Sequence, residues 1–210
     1  MGIGSGRRKR RINIDTRNSQ SFTDVSYLKT GNAKQREAFE ALGRLGIFEK
    51  LAAYGPVLAG TFPIDIDVEG SDLDIICEMR EPEPLERTLI TAYGTLERFT
   101  LERERLHGSI VVVCNFRFES WPVEIFAQNR PVTQQNAYKH MVVEQRILKR
   151  LGPEFREHVR SLKRSGVKTE PAFAGLLGLT GDPYAALLDM HDWSEAKLER
   201  FLVHKGFENA

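Results

Sequence analysis

Residues 110–118, Ile-Val-Val-Val-Cys-Asn-Phe-Arg-Phe, narrow the choice of fold more than any other part of this chain. β-branched and aromatic side chains dominate the stretch; they suit a pleated, buried surface and lose rotamer freedom in a helix. Glu119-Ser120 turns the chain back, and Trp121-Pro122-Val123-Glu124-Ile125-Phe126 carries the alternation of an antiparallel partner. A strand pair of this strength inside a chain otherwise patterned for helices places it in the α+β class.

The helical pattern begins upstream. From Asn32 to Tyr54 the residues Ala33, Ala38, Phe39, Leu42, Leu45, Ile47, Phe48 and Leu51 recur at helical spacing, with Gly43 and Gly46 as candidate breaks. Gly55-Pro56 ends that helix, Val57–Gly60 reads as a short buried strand, and Leu73–Cys77 as a second. Pro82 and Pro84 open a helix expected to reach about Phe99, its face made by Leu85, Leu89, Ile90 and Leu96. Beyond Pro131 the signals are all helical. Thr133 is the expected N-cap of a helix to about Leu151, and Gly152-Pro153 separates it from another ending at Gly166. Three shorter helices start at Thr169-Glu170-Pro171, Asp182-Pro183 and Ser194-Glu195, the last stopped by Gly206. The expected order is α-β-β-α-β-β and then helices, divided into a basic disordered tail (1–20), an α/β core (21–130) and a helical C-terminal region (131–210).

Composition limits the remaining possibilities. No apolar run approaches the roughly 20 residues of a membrane span, and no apolar segment follows the basic N-terminus, so a cytoplasmic protein without a membrane partner is expected. Cys77 and Cys114 each fall inside a strand pattern and are expected to be reduced core thiols. Residues 1–20 hold six of the 30 basic side chains (Arg7, Arg8, Lys9, Arg10, Arg11 and Arg17) and one of the 29 acids, leaving the tail at +5 and the remainder at −4. Such a Gly-rich basic run, residues 7–17, could touch nucleic acid or another anion, but one short run is a weak motif and a solvated leader or a mis-assigned start is the favoured reading.

The chemistry concentrates at 59–76. Asp72 and Asp74 stand at i and i+2 at the start of an apolar strand, so both face one side while Leu73 and Ile75 face the core. Two carboxylates held that close repel unless a cation lies between them, and hard oxygen donors favour Mg²⁺ or Mn²⁺. Glu124, flanked by Val123 and Ile125, joins them if its strand is a neighbour, since an acid alone in an apolar strand calls for a partner. Upstream, Gly60 lets backbone approach a ligand and Thr61 offers a hydroxyl and an N–H to a phosphate.

This arrangement, an apolar residue followed by Gly60-Thr61, a gap of ten residues, then Asp72-Leu73-Asp74 and a later strand acid, resembles the DNA polymerase β-like nucleotidyltransferase superfamily. Thr61 departs from the commoner Ser but keeps the hydroxyl. Gly70-Ser71-Asp72-Leu73-Asp74-Ile75-Ile76 and Lys168-Thr169-Glu170-Pro171-Ala172-Phe173-Ala174 are also similar to an uncharacterised bacterial family of that superfamily, numbered 4269 among the domains of unknown function. The resemblance implies a small mixed sheet with flanking helices and a helical C-terminal region. It also implies a metal-dependent transfer of a nucleoside monophosphate from a nucleoside triphosphate to a hydroxyl acceptor on a small molecule, an RNA or a protein. Asp72, Asp74 and Glu124 would be the catalytic and metal residues, and Gly60, Thr61, Ser71, His140 and Lys168 the nucleotide-binding ones. The alternative on the same scaffold is a nucleotide- or RNA-binding module without turnover.

Other patterns compete. Asp65-Ile66-Asp67 is a second acid pair but stands too close to Thr61 for an intervening phosphate turn, and the EF-hand-like opening at Asp65 lacks the closing acid, having Ile76 at that place. A glycosyltransferase reading of Asp-x-Asp is disfavoured because too little chain precedes the motif. Lys139, His140, Glu144 and Arg146 lie on one predicted helix, with His140 and Glu144 one turn apart on a face that reaches either a nucleotide or solvent.

Overall fold

A computed structural model of the protein describes residues 22–207; the basic tail expected at 1–20 lies outside them. The first helix, α1 (Ala33–Leu45), starts in a capping box: Asn32 accepts from the Gln35 N–H and the Gln35 side chain accepts from the Asn32 N–H. Gly46, at φ 67°, ends α1. A four-residue helix α2 (Ile47–Lys50) and a 3₁₀ turn (Ala52–Tyr54) follow, so the expected single helix breaks at the second of its two glycines.

Five strands form one mixed sheet in the order β1-β2-β5-β4-β3. The strands are β1 (Val57–Ala59), β2 (Leu73–Glu78), β3 (Glu97–Leu106), β4 (Ser109–Phe118) and β5 (Trp121–Gln128). The anticipated hairpin is present, with Phe118 paired to Trp121 and Val113 to Phe126. β5 then runs parallel to β2, placing them side by side at the centre.

One expectation needs correction. The helix opening at Pro82 ends at Tyr93 (α3, Pro82–Tyr93), and Leu96, expected on its face, instead precedes the additional strand β3. This strand lies at the sheet edge and exposes most of its side chains, so Glu-Arg alternation replaced the apolar signal that marks an interior strand.

The sheet is covered on both faces. Leu73, Ile75, Cys77, Cys114, Val123 and Ile125 point to the face packed by α1–α3, where Tyr93 stacks on Phe116 at 4.9 Å. Val57, Ala59 and Ile76 point to the opposite face, which is covered by the C-terminal helices. Those are α4 (Asn136–Arg164, broken at Gly152), α5 (Thr169–Leu177), α6 (Pro183–Asp189) and α7 (Glu195–His204). Thr133 falls in a 3₁₀ turn, and Gln135 takes the N-cap position of α4 without a side-chain cap, a second correction. The starts of α5 to α7 match the sequence signals, with Asp182 and Ser194 capping through their side chains. Cys77 and Cys114 are buried and free. Among the described residues no helix is long and apolar enough to cross a membrane. The α+β class and the helical C-terminal region are both borne out.

Candidate active site

Register builds the site. Asp74 on β2 is the direct partner of Glu124 on β5 and of Ala59 on β1, while Glu124 is in turn opposite Asn115 on β4. These residues form one row across the sheet on the side turned toward the C-terminal helices, because their strand neighbours Leu73, Ile75, Val123 and Ile125 point into the other layer. Asp72, two residues before Asp74, shares its side and lies exposed at the strand entrance.

The row is electrostatically loaded. Burial, and then the charges of Glu124 and Asp72, push the Asp74 carboxyl up to about 7. Glu124 is raised by burial and by Asp72, and Asp72 by burial. Gly60 at φ 70° closes over this group: a Cβ built there would run into Asp74 Oδ2 and lie 3.0 Å from its Cγ. The position therefore requires glycine for both backbone conformation and space.

The segment after Gly60 is fastened from two sides. Gln35 donates to the Phe62 carbonyl at 2.7 Å, and the Ile66 N–H bonds back to the Thr61 carbonyl at 3.1 Å. Asp65 accepts from Asn32 and pairs with Arg160, and Asp67 pairs with Lys34 at 2.8 Å. Basic side chains thus neutralise the second acid pair, whereas Asp74 and Glu124 form no ion pair among the described residues.

Between the row and the C-terminal helices lies a cavity of about 460 Å³. Gly60, Thr61, Asp74 and Glu124 line its sheet side, and His140 and Glu144 of α4 with Thr169 and Glu170 of α5 line its helical side. The tip of the β3–β4 hairpin, Leu106 and His107, borders it as well. Ser71 stays outside, its hydroxyl accepting from the Val68 N–H at 2.9 Å, and Lys168 is exposed one residue short of the lining. Arg146 turns away to bind Glu195 and the carbonyls of Met190, His191 and Trp193, separating it from His140 and Glu144.

The helical wall holds groups that sequence reading missed or left undecided. His140 lies 3.2 Å from Glu170 through Nδ1 and 3.0 Å from the Tyr184 carbonyl through Nε2. Burial works against a charged ring, but the bonds to Glu170 and Tyr184 outweigh it and raise the pKa of His140. Glu170 is correspondingly lowered: burial pushes it up, and its bonds from His140 and from its own N–H outweigh that. Lys163, lowered by burial, donates to Thr169 Oγ1 at 3.0 Å. In the sequence Glu170 stands only as part of a helix start and of the family-like segment, and Lys163 in no motif; the fold brings both beside His140 and Glu144.

A hard divalent cation suits the donor set chemically: Asp72, Asp74 and Glu124 offer oxygen only and share one side, and the charges of Asp72 and Glu124 add to the raised pKa of Asp74. Among the described residues no three His, Cys, Asp or Glu side chains converge into a cluster able to hold an ion.

Comparison with known proteins gives the following. No curated protein matches the sequence. The solved Cid1 poly(U) polymerase with MgGTP bound is 15% identical, over 69% of this chain and 47% of that one, at a TM-score of 0.45. A cytoplasmic RNA terminal U-transferase is 13% identical over 75% and 54%, at 0.47, and GLD-2 in its complex with RNP-8 is 13% identical over 68% and 56%, at 0.46. The chain spans about half the length of these structures. A family model described as "Domain of unknown function (DUF4269)" matches residues 40–190, more than half of the chain, and the chain belongs to that family.

Proposed function

We propose that this protein is a metal-dependent nucleotidyltransferase that moves a nucleoside monophosphate from a nucleoside triphosphate to a hydroxyl acceptor. The observation that carries this reading is the Asp74–Glu124 pair on adjacent parallel strands, with Gly60 pressed against Asp74 at the mouth of a cavity. Asp72, Asp74 and Glu124 would hold Mg²⁺ or Mn²⁺, and when bound such a cation supplies positive charge to the phosphates and lowers the pKa of the attacking hydroxyl.

The chain's own residues supply the rest. Gly60 and Thr61 line the cavity, where Gly60 would let backbone approach the phosphates and Thr61 would offer its hydroxyl and N–H, so the triphosphate would lie along the end of β1. The acceptor oxygen bonds to the α-phosphorus as the bond to the bridging oxygen breaks and pyrophosphate leaves. Its proton passes to the Glu124 carboxylate, which burial and Asp72 make more basic than an exposed glutamate. Ser71 and Lys168 do not line the cavity, whereas His140 belongs to its helical wall. Incubation with each of the four triphosphates and Mg²⁺ or Mn²⁺ tests the proposal: pyrophosphate release from at least one is expected, and none from any would overturn it.

A further inference from the structure

The helical wall of the cavity contains more acceptors than donors. Glu170 is matched by His140, and Lys163 is engaged by Thr169. Glu144 feels the charges of both His140 and Lys163 but forms no ion pair with either among the described residues. Its side chain is buried, with the residue 3% exposed, it lines the cavity, and Oε1 has no hydrogen-bond partner among the described residues. Gln135, 1% exposed and also lining the cavity, repeats the pattern at the start of α4. Its Nε2 donates to the carbonyls of Cys77 at 2.8 Å and Arg130 at 2.9 Å, which fixes the amide orientation and leaves Oε1 as an acceptor without a partner. Buried acceptors of this kind are costly to leave unmet, so two in one cavity point to a ligand that brings donors.

Resting on the nucleotidyltransferase reading, we propose that the acceptor is a small hydroxyl compound carrying a protonated amine, whose ammonium is bound by Glu144. Three features favour this class. The cavity volume of about 460 Å³ lies within the range of roughly 300 to 1,000 Å³ usual for small-molecule sites. The group without a hydrogen-bond partner is a buried carboxyl; a neighbouring ammonium favours its ionised form and pairs with it, whereas a triphosphate offers it neither a donor nor an opposite charge, so the two substrates sort to opposite walls. Met141 and Phe126 give the lining an apolar part against which a carbon skeleton can rest. Glu144 and Gln135 are nine residues apart, about 13 Å along a helix axis, so Gln135 would accept from a second donor of the same molecule and not from the same ammonium.

The test needs no triphosphate. Glucosamine and glucose differ by an ammonium in place of a hydroxyl, and 4-aminobutanol and 1,4-butanediol form a second pair. Their binding is followed by chemical-shift titration of the isotope-labelled protein. The amine of at least one pair should bind at least about tenfold more tightly than its neutral twin, and Glu144→Gln should erase that preference. Equal affinity within both pairs, including no binding by any of the four, would overturn the proposal, as would a preference that survives in Glu144→Gln. A thermal melt of Glu144→Gln guards against a folding artefact. The variant should melt at or above the wild-type temperature, since it removes a desolvated carboxyl; a clear loss would make Glu144 a structural partner and reject the assignment. Asp74→Asn separates the two readings, because it should keep the amine preference while abolishing transfer. Amine binding without transfer from any triphosphate would count against the enzyme reading alone.

Discussion

Asp74 and Glu124 occupy the same rung of the parallel β2–β5 pair, and neither carboxylate meets a basic side chain in an ion pair among the described residues. A few residues upstream, Asp67 pairs with Lys34, and Asp65 with Arg160 and, at 3.8 Å, Arg156. Basic side chains therefore neutralise Asp65 and Asp67, and the acids left without an ion pair, Asp74 and Glu124, are the ones at the cavity.

That contrast yields the first prediction. Asp67→Ala strands Lys34, and Asp65→Ala removes a partner of both Asn32 and Arg160, so each should lower stability by about 1 to 2 kcal/mol in a denaturant titration. Transfer by the fraction that remains folded should change little. A collapse of transfer in the folded Asp67→Ala protein would mean the catalytic pair had been misassigned.

Glu124→Gln preserves shape and removes charge. Transfer should fall at least about a hundredfold with triphosphate binding largely retained, as expected for a lost proton acceptor or metal ligand. Single-turnover rates and equilibrium binding measured on one sample separate the two effects, and lost binding with a normal chemical step would reassign Glu124 to binding.

Gly60 and Gly70 both adopt positive φ, but only Gly60 has the Asp74 carboxylate where a Cβ would go; Gly70 faces open space. Gly70→Ala should cost about 1 to 2 kcal/mol of backbone strain. Gly60→Ala should cost clearly more and also depress transfer, and equal losses at both positions would show that the Asp74 contact is irrelevant.

Burial pushes the Glu144 carboxyl up to about 8, with Glu170 adding to the rise and His140 and Lys163 opposing it. A folded-state pKa above the unfolded value means that the native protein holds the extra proton, so stability falls as pH rises from about 5 toward 8, by at most about 1.4 kcal/mol per unit for this group. His140 contributes in the same direction, which makes the difference between wild type and Glu144→Gln the informative quantity. Melting curves across that range should show a shallower decline in the variant, and parallel curves would contradict the burial argument.

The sheet side of the site was legible because strand alternation is strict: one apolar neighbour on each side of Asp74 and Glu124 settles which way the carboxylates face. Their adjacency was not, since it depends on β5 inserting between β2 and β4, a long-range choice that local pattern does not encode. His140 and Glu144 shared a predicted helix face, yet nothing in the sequence distinguished a wall facing a cavity from one facing solvent. Glu170 and Gln135 sit at helix starts, where acids and amides are commonplace, and acquire meaning only from what lies opposite. Strand β3 was hidden by charge: at an exposed edge, Glu102, Glu104 and Arg105 face solvent and Arg103 pairs with Glu83 and Glu86 of α3, so no apolar period is left to read.

The most direct test compares wild type with Asp74→Asn in transfer of α-labelled nucleotide. Each of the four triphosphates is offered with Mg²⁺ or Mn²⁺ to amino alcohols, amino sugars and a short RNA. Label should move from at least one triphosphate to an acceptor, cease when the cation is chelated, and cease in a folded Asp74→Asn protein. Absence of transfer across the whole set, or transfer that persists unchanged in Asp74→Asn, would contradict the assignment of the Asp74–Glu124 rung as the catalytic centre.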